Sequence, residues 1–260
     1  MCAQIRTRLE FAVETARQAG QITLQYFQAG VETEWKQDNS PVTIADKSAE
    51  ESIRGAIEKS FPGDGIVGEE FGKNAGSTGI NWIIDPIDGT KSFVQGVPLY
   101  GVLIAMEDPD GVQVGVVYLP ALDEMVWAGR GEGCWWNGQR SQVSSIDALD
   151  HATICYTDWR SFAECEKGRA WDNVSRSARC CRSWGDCYGH ILVATGRAEA
   201  SFDPIMNSWD CGPLLPILQE AGGTFTDWSG NATIHGGDAF STNGCLFDSI
   251  SERLTSLPPR

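Results

Sequence analysis

The feature that most constrains this chain is an apolar run that breaks off into acid. Trp82-Ile83-Ile84 reads as a buried strand, and Asp85-Pro86-Ile87-Asp88-Gly89-Thr90 follows it directly. Pro86 has no N–H to give to a ladder, so it breaks the strand. The chain then turns at Gly89, and Thr90 to Phe93 begins a short helix with free backbone N–H groups at its start. A strand end, two acids and a helix start make a sound cradle for a metal-bound phosphate. The acids hold the cation and the N–H groups hold phosphate oxygens. Taken alone, such a pair of acids reads as a turn plus a helix cap.

The pair is not alone. Gly68-Glu69-Glu70 follows another short apolar strand, Ile66-Val67. Asp46 ends the segment Asp38-Asn39-Ser40-Pro41-Val42-Thr43-Ile44-Ala45-Asp46, and Trp209-Asp210 opens a helix far downstream. The Trp and Ile neighbours imply partial burial, and a buried carboxylate must pair with a cation or take up a proton.

Periodicity sets the frame around these acids. Ile5, Leu9, Ala12, Val13, Ala16, Gly20, Leu24 and Phe27 recur at helical spacing, with Arg6, Glu10, Glu14 and Arg17 on the other face. A second helix is expected from about Thr43 to Ser60, stopping at Pro62-Gly63. The period then changes. Val102 to Met106, Val112 to Leu119 and Met125 to Ala128 read as consecutive strands, and Gly131 to Arg140 as a Gly-rich hairpin. Ser144 to Asp150 is a polar connection, which divides the chain into an α+β half, 1–146, and an α/β half, 147–260. In the second half Thr153 to Tyr156, Ala198 to Phe202 and Thr224 to Asp227 read as strands, and Cys187 to Thr195 and Asp210 to Ala221 as helices. Pro216 should kink or shorten the last of these.

Composition removes several classes of function. Lys and Arg total 20 against 35 Asp and Glu, a net charge of −15, which argues against a nucleic-acid binder. No apolar run approaches the roughly 18 residues of a membrane span, and the first residues lack the continuous apolar region of a secretory signal. Nine cysteines form no regular framework, and reduced thiols in the cytoplasm are expected. The histidines at 151, 190 and 235 are far apart, so a Cys/His zinc site is not expected, whereas oxygen-liganded metals remain open.

Taken together, GEE at 68–70, WIIDPIDGT at 82–90 and the WD at 209–210 resemble, in order and spacing, the inositol monophosphatase superfamily of Mg²⁺-dependent, lithium-sensitive phosphatases. The resemblance runs from the first helix to about Asn243. It implies a layered αβαβα sandwich with the site between two halves, two or three Mg²⁺ per active site, and a homodimer. It also implies roles. Glu69, Asp85 and the Ile87 carbonyl match ligands of a first metal, and Asp85, Asp88 and Asp210 those of a second. Asp46 matches the acid of a weaker third site near the attacking water, and Thr90 the hydroxyl that orients this water with Asp46 or Glu69. Gly89 and Thr90 N–H groups match the phosphate cradle, and Glu70 is expected outside the direct ligand set. Carboxylates suit Mg²⁺, which prefers hard oxygen donors. No side-chain nucleophile is needed, and Cys211 reads as filler at a helix start.

The substrate is read from Cys181 to His190 and from Ala194 to Asp210. Inositol-directed members carry small residues in the first stretch and Glu seven places before the WD acid. Here Trp184, Asp186 and Tyr188 intrude, and Asp203 stands at the Glu position. This combination resembles the histidinol-phosphate phosphatase branch, of histidine biosynthesis. Asp186 and Asp203 could pair with the ammonium or imidazole of histidinol phosphate, Trp184 or Tyr188 could cover a ring or cation, and Arg182 falls close to the substrate by resemblance. The competing readings are that Asp186 caps a helix and that Asp203 merely ends a strand. The alternative activity is hydrolysis of inositol 1-phosphate or a broad range of sugar phosphates. His190 is expected to be structural, and Trp135-Trp136 to pack the first half.

Overall fold

A computed structural model describes residues 2–36 and 41–255, with side chains from residue 4 onward. Asp38, Asn39 and Ser40, in the segment leading to Asp46, lie outside the described residues. The chain opens with α1 (Cys2–Tyr26), a ribbon of β1 (Thr33–Trp35) and β2 (Pro41–Thr43), and α2 (Ile44–Ser60). It continues through β3 (Gly65–Gly68), β4 (Gly72–Asn74), β5 (Asn81–Asp88) and the short α3 (Thr90–Val94). A meander follows: β6 (Gly101–Asp108), β7 (Gly111–Leu119), β8 (Glu124–Gly129), β9 (Gly133–Trp136) and β10 (Gln139–Arg140). The remainder supplies β11 (Thr153–Tyr156), α4 (Trp159–Glu164), α5 (Gly168–Ser175), β12 (Cys180–Arg182), α6 (Asp186–Ala194) and β13 (Ala200–Asp203). It ends with α7 (Ser208–Glu220), β14 (Thr224–Thr226), β15 (Ala239–Thr242) and α8 (Phe247–Thr255).

These elements form five layers, because side-chain alternation gives each sheet two apolar faces. In the eight-stranded sheet, ordered β10-β9-β8-β7-β6-β5-β3-β4, Trp82, Ile84, Val102 and Ile104 face α1 and α2. Ile83, Leu103, Ala105 and Val117 face the other way, onto Ile191 of α6 and Leu214, Ile217 and Leu218 of α7. The five-stranded sheet, ordered β12-β11-β13-β15-β14, lies on the far side of α6 and α7. Its outer face, with Ile154, Phe202 and Phe240, is covered by Phe162 of α4, Val174 of α5 and Ile250 of α8. The layered sandwich expected above is the fold observed. Among the described residues no helix is long and apolar enough to cross a membrane.

Two local expectations change. The strand beginning at Trp82 does not stop at Asp85 but runs to Asp88 across an irregularity in its pairing with β6. Helix α7 is neither shortened nor ended by Pro216; it runs from Ser208 to Glu220 through both Pro213 and Pro216. Each proline forfeits a backbone hydrogen bond. Burial of Leu214, Ile217 and Leu218 between two sheets offsets that loss.

The central helix sits close to the first sheet. A Cβ added at Gly115 on β7 would lie 2.2 Å from the Pro213 carbonyl oxygen, a backbone atom that cannot swing away. Gly115→Ala is therefore expected to destabilise the protein by about 1–3 kcal/mol through overpacking. A lower urea midpoint at unchanged m-value reads this out, and an unchanged midpoint would show that α7 can shift freely.

Candidate active site

Strand parity decides which acids meet. Asp85 shares its face of β5 with Ile83, the face that looks onto α7. In an unbroken strand Asp88, three residues on, would point to the opposite face. The ladder pairs Asp85 with Leu103 and Asp88 with Gly101, so three steps on β5 match two on β6. The extra residue falls at Pro86-Ile87 and turns Asp88 back toward Asp85. Asp210, in the first turn of α7, completes the group. Carboxylate oxygens of Asp85, Asp88 and Asp210 all lie within 4.8 Å of one another.

Each acid is fixed by backbone donors. The Ile87 N–H donates to Asp85 Oδ1 at 3.0 Å, and the Cys187 N–H, from the first turn of α6, donates to Asp88 Oδ2 at 2.5 Å. The Asn207 N–H donates to Asp210 Oδ2 at 2.7 Å. Burial, then the charges of Glu69, Asp88 and Asp210, pushes the Asp85 carboxyl far above its usual range. Burial, then Asp186 and Asp210, does the same to Asp88. Asp210 is pushed up to about 6 by burial, with Glu69 adding to it and the Asn207 bond opposing it. Three clustered carboxylates in partly dry surroundings call for a cation. The trio is built of carboxylates alone, which fits a hard divalent ion and not zinc in a sulfur or imidazole site.

Glu69 and Glu70 follow β3, which runs parallel to β5. Lys36 Nζ donates to Glu69 Oε1 and Glu70 Oε1, both at 2.7 Å. Burial works against that ammonium, but its bonds to the two glutamates more than offset it and raise its pKa. Burial pushes Glu70 up to about 7 despite Lys36. Asp46, in the first turn of α2, is buried and accepts from the N–H and Oγ1 of Thr43 at 2.8 and 2.7 Å. Burial raises its pKa. Thr90 Oγ1 lies 2.8 Å from the Ile87 carbonyl and 3.3 Å from Asp46 Oδ1. Its single hydrogen therefore has two competing acceptors.

A cavity of about 350 Å³ opens beside these groups, lined by Glu69, Gly89, Thr90, Thr157 and Asp186 among others. Gly89 has φ +83°, and a Cβ there would stand 3.0 Å from the Leu99 carbonyl and 3.1 Å from Asp186 Oδ2. Only glycine fits comfortably. Asp186 itself has φ +52°, held by donation of its N–H to Thr157 Oγ1 at 2.7 Å. It does not cap α6, whose N-cap is Gly185. Burial, then the charge of Asp203, pushes Asp186 up to about 7.

The other residues singled out for the substrate lie apart from this lining. Asp203, on β13, is buried with its Oδ2 3.0 Å from His190 Nε2, and His190 Nδ1 is 2.8 Å from Ser241 Oγ. His190 is thus structural, as expected. Arg182 is exposed on β12 and donates to the adjacent Cys181 carbonyl at 2.8 Å. Trp184 is exposed, though Ser183 and Gly185 on either side of it line the cavity. Sequence reasoning missed Lys36, Thr157 and Glu50. Lys36 and Thr157 carry no local signal. Glu50 was readable, one helical turn after Asp46 and one before Arg54.

Comparison with known proteins bears on this arrangement directly. A model of the inositol monophosphatase family matches residues 4–257. The chain belongs to the inositol monophosphatase family. It is accordingly a phosphomonoester hydrolase of a metal-dependent family. The inositol monophosphatase fold is also found in the Thermotoga maritima IMPase, with a TM-score of 0.86, 29% identity, and coverage of 95% of this chain and 96% of that one. The histidinol-phosphatase of Chlorobaculum parvum is 46% identical over 240 residues, covering 92% of this chain and 93% of that protein. The histidinol-phosphatase of Mycobacterium tuberculosis is 36% identical over 254 residues, covering 95% and 98%.

The raised carboxyls give a pH dependence with a definite sign. Asp210 titrates near 6 and Asp186 near 7 when folded, against about 3.9 for an unfolded aspartate. Between those values the folded state holds more protons, so stability falls as pH rises. In chelator, the melting temperature should drop between about pH 4 and pH 7, and less steeply for Asp210→Asn. Equal slopes for the two proteins would refute the repulsion argument.

Proposed function

We propose that the protein hydrolyses L-histidinol phosphate to L-histidinol and phosphate with Mg²⁺ as its cofactor. The observation that carries the substrate choice is Asp186, whose carboxylate takes no hydrogen bond among the described residues and stands at the wall of the cavity, against the Gly89 turn. An acid set beside a phosphate cradle repels a second phosphate and favours an ester whose other end is cationic. Histidinol phosphate carries an ammonium; inositol phosphate does not. The two histidinol-phosphatase relatives support the same reading.

Asp85, Asp88, Asp210, Glu69 and the Ile87 carbonyl would hold two Mg²⁺, with a third near Asp46. When bound, these ions supply neutralisation of the ester oxygens and acidify water. The remaining work belongs to the chain. Gly89 and Thr90 N–H groups, at the start of α3, hold phosphate oxygens. Asp46 and Thr90 orient the attacking water: with the Thr90 hydrogen turned to Asp46, its oxygen accepts from water in the cavity. Asp46, whose proton affinity is raised by burial, suits the base. Asp186 receives the substrate ammonium, and Asp203, locked to His190, backs it with negative charge. Trp184, exposed between the cavity-lining Ser183 and Gly185, would border that end of the site, whereas Arg182 lies apart from the lining. The halves 1–146 and 147–260 contribute the metal acids and the selecting residues respectively, apart from Asp210. Two copies pair as a homodimer in the cytoplasm.

Asp186→Asn should lower kcat/KM on histidinol phosphate by about 10–100-fold, the loss of a charge-assisted hydrogen bond of about 1.5–3 kcal/mol. Glycerol phosphate, which lacks a cation, should change less than threefold by the same reasoning. Equal losses on both would sink the recognition role. A wild-type preference for inositol 1-phosphate would overturn the substrate assignment.

A further inference from the structure

Helix α2 carries three buried charged side chains at successive turns of one face: Asp46, Glu50 and Arg54. Asp46 belongs to the site. Glu50 and Arg54 take no part in any step described so far, yet they are bound to it. Glu50 is fully buried and its carboxylate accepts three bonds. Oε2 takes the Glu70 N–H at 2.7 Å; Oε1 takes the Phe71 N–H at 3.1 Å and Arg54 Nε at 2.8 Å. Arg54 then reaches on to the Gly72 carbonyl. The pair therefore grips consecutive backbone groups of the β3–β4 turn. The fit is tight from both sides. A Cβ at Gly68 would lie 2.1 Å from Glu50 Oε1 and 2.8 Å from the Arg54 guanidinium, so the residue before Glu69 has to be glycine for the carboxylate to pass.

Glu69 is thereby pinned at both ends. Its own N–H donates to the Ile84 carbonyl of β5 at 3.3 Å, and the two residues after it are tied to α2. We propose that Glu50 and Arg54 are positioning residues that hold Glu69 at the distance from Asp85 at which both can serve one divalent ion. This rests on the reading of Glu69 as a metal ligand. A turn held by buried, fully bonded groups presents its carboxylate without reordering when the ion arrives, and partners of this kind typically govern about 10–100-fold in metal affinity. Glutamine at position 50 has one acceptor oxygen where two are used, so one backbone N–H of the turn would face an amide NH₂.

Calorimetric titration of Mg²⁺ into metal-free protein tests this, together with melting in chelator and hydrolysis at saturating Mg²⁺. Glu50→Gln is expected to bind Mg²⁺ about 10–100-fold more weakly while turnover at saturating metal stays within about threefold. Arg54→Lys keeps the cation but cannot bridge Glu50 and Gly72, and should weaken binding by at least about fivefold. It decides the matter if Glu50→Gln does not fold. An affinity within fivefold of wild type in the variant that folds overturns the proposal, whatever its melting temperature, because a merely structural clamp would lower that temperature alone. Glu69→Gln separates the two layers of the argument. If it binds Mg²⁺ as tightly as wild type, the metal reading itself fails and the proposal with it. If Glu69→Gln weakens binding and Glu50→Gln does not, only the positioning role fails.

Discussion

Everything in this molecule is arranged around carboxylates that repel one another. Asp85, Asp88 and Asp210 present oxygens within 4.8 Å, and burial and mutual charge drive their proton affinities up. No local preference of the chain would produce such a group. It persists because each acid hangs from a rigid element and accepts a backbone N–H. Two apolar layers supply the driving force. Trp82 and Ile84 bury against the outer helices, and Ile83 against α7, on alternate sides of the same strand that ends in the acids.

The extra residue at Pro86-Ile87 is the hinge of the design. It converts a strand, which must alternate, into a platform on which two acids look the same way. The same irregularity delivers the chain to Gly89 in its left-handed conformation and so to α3. Helix α7 brings the third acid from more than a hundred residues downstream, and the close contact of Pro213 with Gly115 sets how near it comes. Cavity and cluster are thus products of one packing arrangement between the two sheets.

In the proposed reading, substrate choice rests on Asp186, on a different element from the clustered acids. The acids lie on β5 and α7, whereas Asp186 stands at the mouth of α6, in a backbone conformation that Thr157 stabilises. The charge of Asp186 also acts on Asp88, whose carboxylate is held by the N–H of the next residue, Cys187.

Much was legible in the residues. Helical spacing from Ile5 to Phe27, alternation in the meander, and the WIIDPIDGT and WD segments indicated the layers and the convergent acids, because these signals are local and short side-chain periods dictate which face is buried. Other features depended on contacts far apart in sequence. Parity alone would have sent Asp88 to the wrong face, and only pairing with β6 turns it back. Pro216 reads as a helix breaker until two sheets hold α7 together. Asp203 and Asp186 look equivalent on paper, yet His190 claims one and the cavity receives the other. Glu50 shows in the sequence as an acid at helical spacing between Asp46 and Arg54, but only the β3–β4 turn closing over it reveals what it holds. Sequence specified which elements form and which chemical groups they carry; tertiary structure decided which of those groups touch, since a contact between distant residues exists only once the cores that enforce it are packed.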